Sequence, residues 1–110
     1  MATDYEFGCE VVEGRLVVRG DCDVVAARRL RECIAAFDGH DIVVDLGGVT
    51  FFDSSALNVL LAARERNPGF RVGELSQEVS IVLKITGTLK YLRAAGHDLS
   101  PEAGHLLRGG

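Results

Sequence analysis

An α/β fold, with one mixed β-sheet of four to five strands packed with α-helices, is predicted by three features of the sequence. YEFGCEVV and RLVVRG alternate on either side of Glu13-Gly14, as the two strands of a hairpin do. Two later strand-like runs, DIVVDL at residues 41 to 46 and FRVGEL at residues 70 to 75, are separated by a helical pattern. The order strand, strand, helix, strand, helix, strand, helix requires crossover connections, which lay helices against a partly parallel sheet.

In order, the hairpin strands run to Val12 and to Gly20, and Asp21 to Asp23 form a polar loop. VVAARRLRECIAAF then places Ala27, Leu30, Ile34 and Phe37 at helical spacing, with Asp23 or Asp21 as N-cap and Gly39 to end the helix. The β-branched DIVVDL suits a central strand covered on both faces, and Gly47-Gly48 breaks it. Extended residues from Val49 to Phe52 lead into a second helix from about Asp53, which Asn67-Pro68-Gly69 stops. Ser76 caps a third helix carrying Val79, Val82, Leu83 and Thr86, and Gly87 closes it. TLKYLRAAGHD reads either as a turn with a strand or as continued helix. SPEAGHLL opens with Ser100 as N-cap and Pro101 at the first helical position, and the terminal RGG is expected to fray.

The chain has 110 residues, enough for one hydrophobic core and too few for two, so residues 1–110 are expected to form a single domain with a core at about 4–107 and a tail at 108–110. A net charge of -4 gives no basic footprint for a phosphate backbone, which argues against nucleic acid as a direct partner. No apolar run is long enough to span a membrane, and MATDYEFGCE lacks the regions of a signal peptide, so the expected location is the cytoplasm. Cys9, Cys22 and Cys33 have neither CxxC nor zinc-ligand spacing, so no disulfide framework and no metal site is expected. Parity places Cys9 with Phe7 and Val11 on the apolar face of a strand, and Cys33 lies beside Ile34; both read as small core residues. Cys22 differs in sitting in a loop between two aspartates, where it is open to solvent, but those carboxylates disfavour its thiolate, so a redox role is not the expectation.

The richest stretch is FFDSSALNVLLAARER, residues 51 to 66, where two serines follow an aspartate at the head of a helix. Capping alone explains them, since an Asp or Ser accepting a first-turn amide stabilises a helix by about 1 kcal/mol. The same helix end, with its unpaired amides and partial positive charge, also tolerates a phosphate. A phosphoserine would add about -1.5 to -2 charges at pH 7. Right-handed crossovers carry the loop after Gly20 and the loop before Ser54 to one end of the sheet, so Asp21, Asp23, Asp53, Ser54 and Ser55 are expected to share a surface. Catalysis is not signalled: GxSxG is absent, and none of His40, His97 and His105 stands in the context of a base. GxxxxGK[ST] and GxGxxG are also missing, so neither a nucleotide-hydrolysing site nor a dinucleotide cofactor is indicated.

IVVDLGGVTFFDSSALNVLLAARER resembles the signature of STAS domains, in particular the bacterial anti-sigma factor antagonists, in which an apolar strand enters a D-S-S-G-L or D-S-T-G-L motif opening a helix. Gly20-Asp21-Cys22-Asp23 is similar to the family's G-E-L-D loop, and SQEVSIVLKITGTLKYL to its third helix and following turn. The likeness extends to about Leu107. It implies a single STAS-like domain without catalytic activity or cofactor. The unphosphorylated form would bind an anti-sigma factor, a serine kinase with a histidine-kinase-like ATP fold, and so release a sigma factor. Phosphorylation of the serine after the motif aspartate, here Ser54, would end that binding, and a metal-dependent serine phosphatase would restore it.

A helical projection through Leu57, Leu60, Leu61 and Arg64 turns Ser55 away from the core and Ser54 only partly, so geometry alone favours Ser55 whereas the resemblance selects Ser54. The expected docking face comprises Asp21, Cys22, Asp23, Asp53, Ser54, Ser55 and Asn58. Three residues depart from the family pattern: Cys22 stands for an apolar residue, and Ala56 and Asn58 for glycines. Ala56 should keep the helix and restrict close backbone approach by a partner. Two other readings remain: a constitutive assembly subunit, like the STAS component of lipid-transporting ABC complexes, and nucleotide binding in the cleft.

Overall fold

The hairpin forms where the alternation places it, with β1 at Gly8–Val12 and β2 at Arg15–Cys22. Glu13 and Gly14 both take positive φ, 50° and 78°, as a two-residue hairpin turn requires. The structure is a computed structural model and describes residues 5–94. Helix α1 (Val24–Ala35) follows, then strand β3 (Ile42–Phe52), helix α2 (Ser54–Arg66), strand β4 (Phe70–Leu75), helix α3 (Gln77–Ile85) and a short helix α4 (Leu89–Arg93). Helix α4 resolves TLKYLR in favour of helix. SPEAGHLL lies outside the described residues, as do His97 and His105.

The four strands are ordered β1-β2-β3-β4, with β1 antiparallel to β2 and the other two pairs parallel. The two crossovers, through α1 and α2, step across the sheet in the same direction, and right-handedness therefore sets both helices on one face. Burial follows this arrangement. Leu16, Val18, Ile42, Val44 and Leu46 point into the core, where they meet Leu30 and Ile34 of α1, Leu60 of α2 and Leu83 of α3. The expectation that DIVVDL is covered on both faces is therefore corrected. Val43 and Asp45 are only half-buried, and on their face Asp45 accepts from Arg15 Nε at 2.6 Å and Nη2 at 2.7 Å, and from the Glu74 amide at 2.9 Å. The Arg15 guanidinium holds the Asp45 carboxyl below its ordinary range, against a smaller opposing effect of burial.

Three further expectations change. Gly47-Gly48 does not break the strand; β3 continues to Phe52, and the glycines are absorbed in a register irregularity against β2, where Val17 pairs with Asp45 and Arg19 with Gly48. Asp21 and Cys22 lie in β2 and not in a loop, because the strand passes Gly20 at φ 84°, where a Cβ would run into the Glu6 carbonyl. Cys9 and Cys33 are not independent core residues, since a disulfide joins them. Cys9 pairs with the inward-facing Val18 and so points from the edge strand towards α1.

The end of α2 is secured by side chains whose partners lie far along the chain. Asn67, buried, donates from Nδ2 to the Phe37 carbonyl at 3.1 Å and the His40 carbonyl at 2.9 Å, tying α2 to the turn before β3. Arg64, also buried, donates from Nε to the Ala94 carbonyl at 3.0 Å and stacks over the Tyr91 ring at 4.9 Å, fastening α4 to the body of the domain.

Candidate functional site

The ends of β2 and β3 lie side by side, with Asp21 paired to Phe51 and Cys22 to Phe52, so the two strand-to-helix junctions emerge together. At one, Asp23 caps α1 by accepting the Ala26 amide at 2.9 Å. At the other, Asp53 caps α2 by accepting the Ser55 and Ala56 amides at 3.0 and 3.2 Å. Asp21 is not a cap; it accepts the Thr50 hydroxyl at 2.6 Å and so bridges the two strands. The topology thus assembles the expected cluster of Asp21, Asp23, Asp53, Ser54 and Ser55.

Because Asp53 carries the cap, the serines are relieved of that task. Ser54 is exposed and Ser55 only half-buried, which reverses the helical projection. The buried arc of α2 is wider than its leucines: Ala56, Val59 and Ala63 face inward together with Leu57 and Leu60. That leaves Ser54, Asn58, Ala62, Glu65 and Arg66 as the exposed stripe, and Ser54 heads it at the sheet end. Ala56 is fully buried, so it fills core space and its methyl does not stand in a partner's way, contrary to expectation.

Cys22 is also corrected. It is fully buried beneath the cluster and presents no side chain to a partner. Burial, followed by the charges of Asp21, Asp23 and Asp53, pushes its thiol from 9.0 up to about 12. It is therefore a neutral core thiol at neutral pH, which agrees with the disfavoured redox role and removes Cys22 from the docking face.

Sequence reasoning missed the apolar part of this end. Val24 and Val25, the first residues of α1, are 67% and 79% exposed; Tyr5, also exposed, shares a pocket wall with Val25, and Phe51 is exposed near the end of β3. A pocket of about 240 Å³ lies between the N-terminal segment and α1, lined by Tyr5, Phe7, Asp21, Asp23, Val25 and Arg29 among others. Exposed aliphatic and aromatic residues rimmed by carboxylates have the composition of a surface that can bury against another protein. The signal was present as two valines directly after a capping aspartate, since first-turn side chains at a sheet end have little core to enter.

Comparison with known proteins agrees with this geometry. A family model described as Mlab, STAS domain matches residues 7–96. The crystal structure of an anti-sigma factor antagonist from Mycobacterium paratuberculosis superposes with a TM-score of 0.67 at 28% identity, covering 97% of each chain. The anti-sigma factor antagonist SpoIIAA in its unphosphorylated form shares the fold, with a TM-score of 0.58 at 23% identity over 96% of this chain and 98% of its own. No curated protein sequence matches. With the family model spanning most of the strands and helices described above, the chain belongs to the STAS domain family.

Proposed function

We propose that this protein is an anti-sigma factor antagonist that acts by binding, and that Ser54 is its phosphoacceptor. The observation that carries the reading is the position of Ser54: exposed, first in α2, relieved of capping by Asp53, and at the same sheet end as the start of α1, where Val24 and Val25 are exposed. The similarity to an antagonist over nearly its full length supports the same role.

In this mechanism the unphosphorylated face docks on an anti-sigma factor with a histidine-kinase-like ATP fold, and a sigma factor is released. Val24, Val25 and Phe51 supply apolar contact, while Asp21, Asp23, Asn58 and the serine hydroxyls form the polar rim. The kinase transfers the γ-phosphoryl group of ATP to Ser54 Oγ, leaving ADP. The phosphate adds about -1.5 to -2 charges beside three carboxylates, and a surface shaped for a neutral hydroxyl must desolvate or repel it. The free domain tolerates the phosphate because it sits at a helix N-terminus facing solvent. A metal-dependent serine phosphatase resets the switch, and the cytoplasm is where these partners meet.

The test is incubation of the purified protein with the candidate anti-sigma kinases of its genome and ATP, followed by peptide mass spectrometry. One phosphate on Ser54 supports the reading. Phosphate on Ser55 alone overturns the residue assignment. No phosphate with any kinase favours a constitutive assembly subunit, such as one in a lipid-transporting ABC complex, for which the unmodified apolar patch would be the contact.

A further inference from the structure

We infer that Cys9 and Cys33 form a reversible thiol–disulfide couple whose state sets the order of the docking end. The inference deepens the reading above, and on that reading the couple also adjusts partner affinity. It starts from a ladder of contacts between the edge strand and α1. Cys9 of β1 is bonded to Cys33 of α1. Two residues before Cys9 and one turn before Cys33, the Arg29 guanidinium lies over the Phe7 ring, 5.2 Å from its centroid. Beyond that layer, the Tyr5 carbonyl accepts the Asp21 amide at 2.8 Å, and Tyr5, Phe7 and Arg29 line the pocket shared with Asp21, Asp23 and Val25. The disulfide is thus the first rung of a series that ends on the acidic, apolar face beside Ser54.

β1 is held weakly without it. It is an edge strand of five residues, paired on one side, with Val11 and Val12 exposed at its far end. A crosslink between positions separated by 24 residues restricts the opening of that strand from α1. With the bond reduced, the β1–β2 ladder and the Phe7–Arg29 and Tyr5–Asp21 contacts hold the segment without a covalent tie to α1, and the pocket loses order.

The chemistry is selective and balanced. Cys9 and Cys33 are half-buried at the margin of the core, while Cys22 is sealed within it. The oxidant is a low-molecular-weight disulfide. One cysteine thiolate attacks it and releases one small thiolate, and the second cysteine then displaces the other from the mixed disulfide. Two protein thiols are oxidised to one disulfide, and one small disulfide is reduced to two thiols, which take up the two protons.

The experiment equilibrates the full-length protein in glutathione buffers from reducing to oxidising, maps the bond by peptide mass spectrometry, and measures amide hydrogen exchange in both end states. The disulfide should form and break within that range, and the Asp21 amide should exchange roughly fivefold or more slowly in the disulfide form. Cys9→Ser should exchange at the reduced rate in both buffers. A Cys9–Cys33 bond that never forms or never breaks overturns the inference, and so does equal exchange at Asp21 in the two states. Where the candidate kinase binds, the disulfide form should bind about threefold or more tightly, because its face is pre-organised. A kinase that binds neither form counts against the proposed function and leaves the exchange result to decide the couple.

Discussion

The starts of α1 and α2 are built alike and differ in what they show to solvent. Each follows the carboxyl end of a parallel strand, each is capped by an aspartate, and the two strand ends are paired. After the cap, α1 presents Val24 and Val25, whereas α2 presents Ser54 and Ser55. The capping carboxylate accepts first-turn amides in both cases, so the first two side chains of each helix are not needed as caps. One start can then be a permanent apolar contact and its neighbour a hydroxyl whose charge can be changed. Under the proposed function such a switch would need no conformational change, because the phosphorylated serine would already belong to the contact surface.

The largest expected effect lies under both starts. Cys22 has a folded pKa raised to about 12, so its contribution to stability is fully present below its ordinary value of 9.0 and is lost as pH rises through that window. Wild type should lose more stability than Cys22→Ala between pH 9 and pH 12 by urea unfolding, the two curves converging by on the order of a few kcal/mol. Curves that stay parallel would mean that Cys22 ionises in the folded state as readily as in the unfolded one, and that it is not sealed in the core. Next in size, Ser54→Asp should weaken kinase binding about 30- to 100-fold by calorimetry, with unfolding free energy changed by no more than about 0.5 kcal/mol. The same change at Ser55, which is half-buried, should affect binding less. If Ser55→Asp is the more damaging, the contrast between the exposed stripe and its flank is wrong.

The sequence was most informative where local chemistry and topology agreed. The limits of β4 follow from its alternation and from Asn67-Pro68-Gly69 in front of it, and the meeting of Asp21, Asp23 and Asp53 follows from right-handed crossovers. It was least informative where the answer depended on width or lateral distance. Leucines alone do not show how wide the buried arc of α2 is, because Ala56 and Ala63 carry no strong hydrophobic signal, and so the outward position of Ser54 was misjudged. Periodicity gave the inward side of Cys9 and the helix of Cys33 but not the distance between an edge strand and a helix. Gly20 reads as a terminator, and only the crossing of Glu6 above it explains why β2 continues to Cys22.

The two caps should themselves be distinguishable. Asp53→Ala frees two amides and should cost about 1 to 2 kcal/mol, while Asp23→Ala frees one and should cost about 1 kcal/mol or less, both by chemical unfolding. Equal costs would show that the second bond of Asp53, at 3.2 Å, adds nothing.

The smallest effect tests the apolar start most directly. Val25 is 79% exposed, so Val25→Ser removes little buried area and should change stability by no more than about 0.5 kcal/mol. Partner binding should nevertheless weaken by about fivefold to tenfold, because a side chain at the centre of an apolar patch is desolvated only in the complex. That loss should be the same whether Ser54 is intact or replaced by Ala, since the valine contributes contact and the serine contributes charge control. A Val25 effect that appears only with Ser54 intact would mean that the two starts act as one coupled element, and the division between fixed contact and switch would have to be abandoned.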